Sequence, residues 1–303
     1  MRSFGFLLVG IYSFFCLSLP PLYAGSGRGR KAIDGENPGV KTTTVFVQDW
    51  NSDKILYQRR ADEVRPIASL SKMWAALVIQ EECKLNPDDL HVMSPDNRQA
   101  AKGGDRSRLT TGWSFSHRDL MHAALMRSDN RAFPALAEAC HMTPEDLGAR
   151  MTARARSLGL LHTSFAEPTG LSAMNASTAR EVNTMLREVM SRPQIAAIMG
   201  TKRYTMRAIR KDGYSKELEL SNTDRLLNGG QVAVVGGKTG YTDLARYCLA
   251  ISVLSPVEEA SERAKLGIVL MGAEGKLTRF ADVRRILTWL RQKAEGVFNT
   301  TSD

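Results

Sequence analysis

From Thr42 the chain reads Thr-Thr-Thr-Val-Phe-Val-Gln-Asp, pauses at Asn51-Ser52-Asp53 and resumes as Lys54-Ile55-Leu56-Tyr57-Gln58. β-branched and apolar positions on either side of a turn cluster predict a β-hairpin. The period then changes. Between Ser69 and about Cys83, Met73, Ala76, Leu77 and Gln80 recur at helical spacing. Lys84 to Thr111 is polar, with Gly103-Gly104-Asp105 expected to form a flexible rim. Ser116, followed by Asp119, caps a helix whose apolar face carries Leu120, Met121, Ala123 and Ala124 and which ends at Met126-Arg127. Ser128-Asp129-Asn130 separates it from a second helical run to Cys140.

Thr143-Pro144-Glu145 opens another helix that Gly159 stops, and Ser177-Thr178-Ala179-Arg180-Glu181 opens one that reaches about Met190. The rigid turn Glu167-Pro168-Thr169-Gly170-Leu171-Ser172 lies between them, and 202–230 is only weakly patterned. Strand character returns at Val232–Lys238, Arg246–Leu254 and Lys265–Met271. A closing helix, Gly275–Lys293, keeps Phe280, Val283, Ile286, Leu287 and Leu290 on one face. Strands at both ends with helices between predict an α+β fold: one antiparallel sheet flanked by helices, interrupted by an inserted all-helical lobe. The expected sheet lobe is 42–68 with 231–293, the helical lobe 69–200, and a cleft opens where they meet.

The N-terminal end changes the picture of where the chain works. Arg2, an apolar run from Phe4 to Leu19 and a small residue at Ala24 before a Gly/Ser/Arg stretch read as a secretory signal over 1–24, followed by a loose leader over 25–41. The run is too short and too Pro-bounded for a comfortable membrane span, although an uncleaved anchor competes with this reading. The tail is 294–303. The expected product is exported, periplasmic in a double-membraned cell, with no stable membrane span after cleavage. Formal net charge is +9 over 303 residues. A basic surface suits acidic partners, and export with no aromatic platform motif argues against nucleic acid. Of the three cysteines outside the signal, Cys83 and Cys140 either bridge or stay as buried thiols, and Cys248 is left over.

The candidate chemistry starts at Ser69-Leu70-Ser71-Lys72. A serine on the first helical turn meets the positive end of the helix dipole, and Lys72, three residues on, lies on the same face. Serine needs a base, and lysine serves as one only when burial or a second cation disfavours its protonated form. Lys238-Thr239-Gly240-Tyr241, ending the first returning strand, supplies that cation. Lys238 and Thr239 would face a substrate carboxylate, Gly240 would let the backbone come close, and the Tyr241 amide would join the Ser69 amide as an oxyanion hole beside an edge strand that pairs with a peptide. Between the helices, Ser128 can relay a proton from Lys72 to a leaving amine, while Asn130 offers its carbonyl to a lysine and its amide to substrate. Singly these motifs also read as a helix start, an interhelix turn and a glycine turn. Together, in this order and context, they are the signature shared by class A β-lactamases and penicillin-binding proteins.

The chain resembles the low-molecular-mass penicillin-binding proteins of the D-alanyl-D-alanine peptidase family, and specifically their short endopeptidase branch. The likeness also rests on Arg65-Pro66-Ile67-Ala68-Ser69, His122-Ala123-Ala124-Leu125-Met126, Glu167 to Ser172, Ser177-Thr178-Ala179-Arg180 and Gly275-Lys276 through Phe280-Ala281-Asp282, and spans about Thr42 to Gln292. It implies Ser69 as acylated nucleophile, Lys72 as base, Ser128 as relay, Asn130 as positioning group and Lys238 as stabiliser. It further implies peptidoglycan stem peptides as substrate, β-lactams as covalent inhibitors, and no metal or other cofactor. Asp129 stands where many carboxypeptidases have glycine.

The alternative within the resemblance is a D-alanyl-D-alanine carboxypeptidase. A β-lactamase would need a water-activating glutamate, which Glu167 superficially offers, yet Gly170-Leu171-Ser172 follows where such an enzyme presents a different loop. A noncatalytic penicillin sensor would use the same fold. A zinc peptidase is disfavoured because His91, His117, His122, His141 and His162 have no compact ligand spacing.

Overall fold

The computed structural model describes residues 36–104, 106–257 and 263–297. The expected export signal and residues 25–35 of the leader lie outside these residues, as do most of the tail and Asp105 of the expected rim.

β1 (Thr44–Asp49) and β2 (Ile55–Arg59) form the expected hairpin. β1 also pairs with the last strand, β11 (Lys265–Ala273), and β10 (Arg246–Leu254) and β9 (Val234–Thr242) complete an antiparallel sheet ordered β2-β1-β11-β10-β9. The two ends of the chain thus meet in one sheet, and β9 is left at its edge. Val45, Val47, Leu249, Ile251, Ile268 and Leu270 pack against Phe280, Val283 and Ile286 of α8 (Thr278–Ala294). Phe46, Ala250 and Val269 face the opposite way and join the helical core. Burial of both faces explains why these strands read as nearly continuous apolar runs.

Between β2 and β9 the insertion is built on α1 (Ser71–Glu82), whose residues Ser71 to Ile79 are all buried. A one-sided apolar stripe predicts a surface helix, but this helix is enclosed by α3 (His117–Met126), α4 (Ala132–Ala139), α5 (Pro144–Ser157) and α6 (Ala179–Met190). The caps read from sequence hold: Ser116, Thr143 and Thr178 each accept the backbone N–H three residues on. Two short helices, α2 (Pro95–Ala100) and α7 (Pro193–Gly200), add to the expectation.

The lobe is not all-helical. β4 (Leu90–Val92), β5 (Trp113–Ser116), β7 (Arg203–Arg210) and β8 (Ser215–Ser221) form a second antiparallel sheet on it, β4, β7 and β8 inside stretches read as polar or weakly patterned and β5 just before the α3 helix. Met206, Ala208 and Leu220 are its buried residues in β7 and β8, and the intervening Arg203, Arg207, Glu217 and Glu219 are exposed. So few apolar positions under so many charges hide the period of two. A two-stranded pairing of β3 (Arg65–Pro66) with β6 (Ala176–Ser177) ties the lobes together. Cys83 and Cys140, left open by the sequence, form a disulfide joining the ends of α1 and α4, and Cys248 is buried and free. Among the described residues no helix is long and apolar enough to cross a membrane.

Candidate active site

Ser69 sits in a 3-10 turn, Ala68–Leu70, that feeds into α1 rather than in the α-helix itself. The preceding Ala68 has φ +49°, a left-handed backbone that L residues adopt at a cost. Two neighbours hold it. The Ser71 hydroxyl donates to the Ala68 carbonyl at 2.9 Å, and Gly170, itself at φ +82°, lies so close that a Cβ there would be 1.9 Å from that carbonyl oxygen. Only glycine fits at 170. The resulting bend buries Ile67, Ala68 and Leu70 while Ser69 stays half-exposed to the groove.

One turn on, the Lys72 side chain is fully buried. Its Nζ lies 2.9 Å from Ser69 Oγ and donates at 2.6 Å to Asn130 Oδ1 and at 2.6 Å to the Thr169 carbonyl. Asn130 lies in the turn that leads into α4, and Gly104 packs against it so tightly that a Cβ at 104 would lie 2.1 Å from Asn130 Nδ2. Ser128, at φ +64°, turns its hydroxyl to the other lysine: Lys238 Nζ donates to Ser128 Oγ at 2.9 Å and to the Thr239 carbonyl at 2.9 Å. The structure therefore brings Ser69, Lys72, Ser128, Asn130 and Lys238 into one cluster, contributed by three distant segments.

β9 supplies the opposite wall. A Cβ on Gly240 would lie 3.1 Å from the Ser69 amide nitrogen and 3.1 Å from the Ile67 carbonyl, so the glycine permits the strand to lie against the nucleophile turn. The Thr239 hydroxyl meets that of Thr223 at 2.7 Å. The Tyr241 side chain points outward, 44% exposed, stacked on Tyr247 with its hydroxyl on Asp243.

Burial is the main cause that pushes the Lys238 ammonium well below the ordinary lysine range, and the charges of Lys72 and Arg279 push the same way. Both Lys238 acceptors are neutral oxygens. Arg279, on α8, donates to the Gly240 carbonyl at 2.7 Å and to the Cys248 carbonyl at 2.9 Å, pinning β9 from beneath. Burial lowers its pKa to about 10 and raises that of nearby Asp224 to about 6. Sequence reading missed Arg279, Thr223 and the Thr169 carbonyl. An arginine on an exposed-looking helix, a threonine in an unpatterned stretch and a main-chain oxygen carry no residue-level signal.

Two acidic residues singled out in the sequence point away from chemistry. Asp129 accepts from Ser107 Oγ, the Arg108 amide and the Arg131 amide, which fastens the loop before β5 to the Ser128-Asn130 turn. Glu167 accepts from the Thr169 amide and hydroxyl and from the Gly170 and Ser172 amides. Among the described residues no group of three or more His, Cys, Asp or Glu side chains is arranged to hold a metal ion.

Comparison with known proteins adds family to geometry. A family model described as D-alanyl-D-alanine carboxypeptidase matches residues 31–275. The D-alanyl-D-alanine endopeptidase of Escherichia coli K12 is 33% identical over 262 residues, covering 86% of this chain and 80% of that protein. The endopeptidase of Pseudomonas aeruginosa is 34% identical over 247 residues, covering 82% and 76%. Among solved structures, the Streptomyces K15 DD-transpeptidase superposes with a TM-score of 0.75 at 22% identity, over 83% of this chain and 97% of that one, a likeness of fold.

Proposed function

Because the chain belongs to the D-alanyl-D-alanine carboxypeptidase family of serine peptidases, we propose that it is a D-alanyl-D-alanine endopeptidase that hydrolyses peptidoglycan cross-links through an acyl-enzyme on Ser69. The observation that carries this reading is the setting of Lys72. A neutral amine has two N–H bonds and one lone pair. Asn130 Oδ1 and the Thr169 carbonyl can only accept, so they take the two hydrogens. The lone pair is left for a neighbour that can donate, the Ser69 hydroxyl at 2.9 Å.

The steps follow. Ser69 Oγ gives its proton to Lys72 as it bonds to the carbonyl carbon of the penultimate D-alanine, and the carbonyl electrons move onto an oxygen held by the Ser69 and Tyr241 amides. Collapse of that centre breaks the C–N bond. The leaving amine takes its electron pair and a proton passed from Lys72 through Ser128, whose hydroxyl is polarised by Lys238 at 2.9 Å. Water then adds to the ester, gives a proton to the same base, and Ser69 recovers its hydrogen. Asn130 and the outer edge of β9 hold the peptide, and Lys238 with Thr239 receive its carboxylate. None of these steps calls on a metal or other cofactor.

A leaving amine on a neighbouring stem makes the reaction endopeptidase; free D-alanine makes it carboxypeptidase, which the same groove supports. The two curated relatives favour the first. Working outside the cytoplasm after removal of 1–24 fits this substrate, and the net charge of +8 that remains once Arg2 is gone suits a carboxylate-bearing wall polymer. Glu167, with both oxygens occupied inside its own turn, speaks against rapid β-lactam hydrolysis, so benzylpenicillin is expected to leave a long-lived adduct on Ser69. The deciding experiment is digestion of purified cross-linked muropeptide dimers with mass analysis. Conversion to monomers is expected, and loss of a single alanine from each dimer would move the reading to carboxypeptidase.

A further inference from the structure

We propose that Glu167 is a positioning residue for the base: its carboxylate locks the Pro168-Thr169-Gly170 turn so that the Thr169 carbonyl takes one Lys72 N–H and leaves the lone pair aimed at Ser69. This rests on the reading of Lys72 as base given above.

The Glu167 carboxylate has no acceptor capacity left. Oε2 of Glu167 accepts from the Thr169 amide and hydroxyl at 2.5 Å each, and Oε1 accepts from the Gly170 and Ser172 amides at 2.7 and 3.2 Å. A carboxylate offers about four acceptor sites, so four donors fill it. A group that activates water needs a lone pair turned toward the groove, and Glu167 has given all of its own to three amides and one hydroxyl of its own turn.

That turn reaches the reacting groups through the Thr169 carbonyl, which accepts from Lys72 at 2.6 Å. Thr169 is 1% exposed, so a carbonyl that swung away would find no water to replace the lysine. The turn is also docked on the segment that carries the nucleophile. Asn175, fully buried, accepts from the Ala166 amide at 2.9 Å and donates to the Glu167 carbonyl at 2.7 Å and to Ser71 Oγ at 3.0 Å. Ser71 in turn holds the Ala68 carbonyl, against which Gly170 is seated. The Glu167 turn therefore makes contact with both Ser69's bend and Lys72's amine, and its carboxylate is what fixes its shape.

Glu167→Gln breaks this lock because one oxygen becomes an NH₂ facing N–H and O–H donors. Thr169→Val is milder: it keeps Glu167 and the carbonyl and removes one of the four donors. With full-length protein and a fluorescent penicillin, labelled sites are counted by intact mass at saturation. Noncovalent capture and the acylation rate constant per labelled site are then resolved by stopped flow, and adduct lifetime by chase. Acylation by Glu167→Gln is expected to fall roughly tenfold or more, the worth of about one charge-assisted hydrogen bond to the Glu167 carboxylate, with capture within about twofold and adduct lifetime not lengthened. Thr169→Val is expected to fall a few-fold in the same constant.

Because the rate is taken per labelled site, lower stability alone leaves it unmoved. Acylation by Glu167→Gln equal to the parent overturns the proposal, and so does intact acylation with an adduct that persists about tenfold longer, which would make Glu167 the hydrolytic base. If Glu167→Gln does not fold, Thr169→Val reads the same constant, and an unchanged rate there overturns it. A parent chain that takes no penicillin at all would instead bring down the reading of the whole site.

Discussion

The two lysines of the groove are both buried, yet the protein treats them differently. Lys72 is held by one carbonyl from a turn and one from a side-chain amide, on a helix enclosed by four others, with a hydroxyl as its third neighbour. Lys238 sits on an edge strand with a hydroxyl and its neighbour's carbonyl for company, and a buried arginine behind it. The first arrangement specifies direction, since carbonyls choose which way a lone pair points. The second leaves any charge on the amine uncompensated, since neither of its acceptors is acidic. A base needs the former and an anion-stabilising cation the latter.

Removal of Lys72 gives the largest expected effect. Lys72→Ala should lower penicillin acylation and muropeptide cleavage by about a thousandfold or more, as loss of a general base does, while the folded protein still captures penicillin noncovalently. Stopped-flow acylation checks this, and a drop of under about tenfold would mean that another group activates Ser69.

Lys238→Gln comes next, and here stability and activity should part. Acylation is expected to fall about a hundredfold with loss of electrostatic support. The folded state disfavours the charged amine, so between the depressed pKa and the ordinary lysine value near 10.4 the unfolded chain binds more protons. Parent stability must therefore rise with pH across that interval. Below it the penalty is complete; above it none remains. Lys238→Gln is thus expected to be more stable than the parent at neutral pH, by an excess that shrinks as pH rises toward about 10. Urea unfolding at a series of pH values reads this, and an excess that stays flat would show that Lys238 carries no burial penalty.

The contrast also explains what could be read from sequence. Strands β9 to β11 were legible because both faces of that sheet are buried and their runs are apolar, and Lys238 was legible as a lone charge after one of those runs, although β9 continues past it to Thr242. Ser69 and Lys72 were legible from spacing on a helix start. What directs Lys72 was not. The Thr169 carbonyl is main chain, and the acid that fixes it, Glu167, is a type of residue that more readily suggests proton transfer. Arg279, 5% exposed, looked like any arginine on a closing helix. The small sheet of the inserted lobe escaped because its strands are short or heavily charged on one face.

A smaller effect is expected at Asp129, the residue between Ser128 and Asn130. Its three donors anchor the Ser107-Arg108 segment to the turn that serves both lysines. Asp129→Ala should leave two backbone amides and a hydroxyl without their acceptor and slow acylation several-fold, roughly the worth of one neutral hydrogen bond. If the loss instead equalled that of Lys72→Ala, Asp129 would belong among the reacting groups.

The disulfide gives the smallest expected effect on chemistry and the clearest separation of stability from direction. Cys83 closes α1 at the far end from Lys72, on the order of 16 Å away along the helix axis, and Cys140 closes α4 at the far end from Asn130. The crosslink spans 57 residues, enough for its loss to cost about 2–4 kcal/mol through the unfolded chain. At the amine itself, however, Asn130 and Thr169 hold Lys72 directly, and neither contact passes through the sulfurs. The double variant Cys83→Ala with Cys140→Ala should therefore unfold at lower urea while acylating each folded site within about twofold of the parent rate. A rate that fell together with the unfolding midpoint would show that the helix ends, and not the two carbonyls, set the direction of the base.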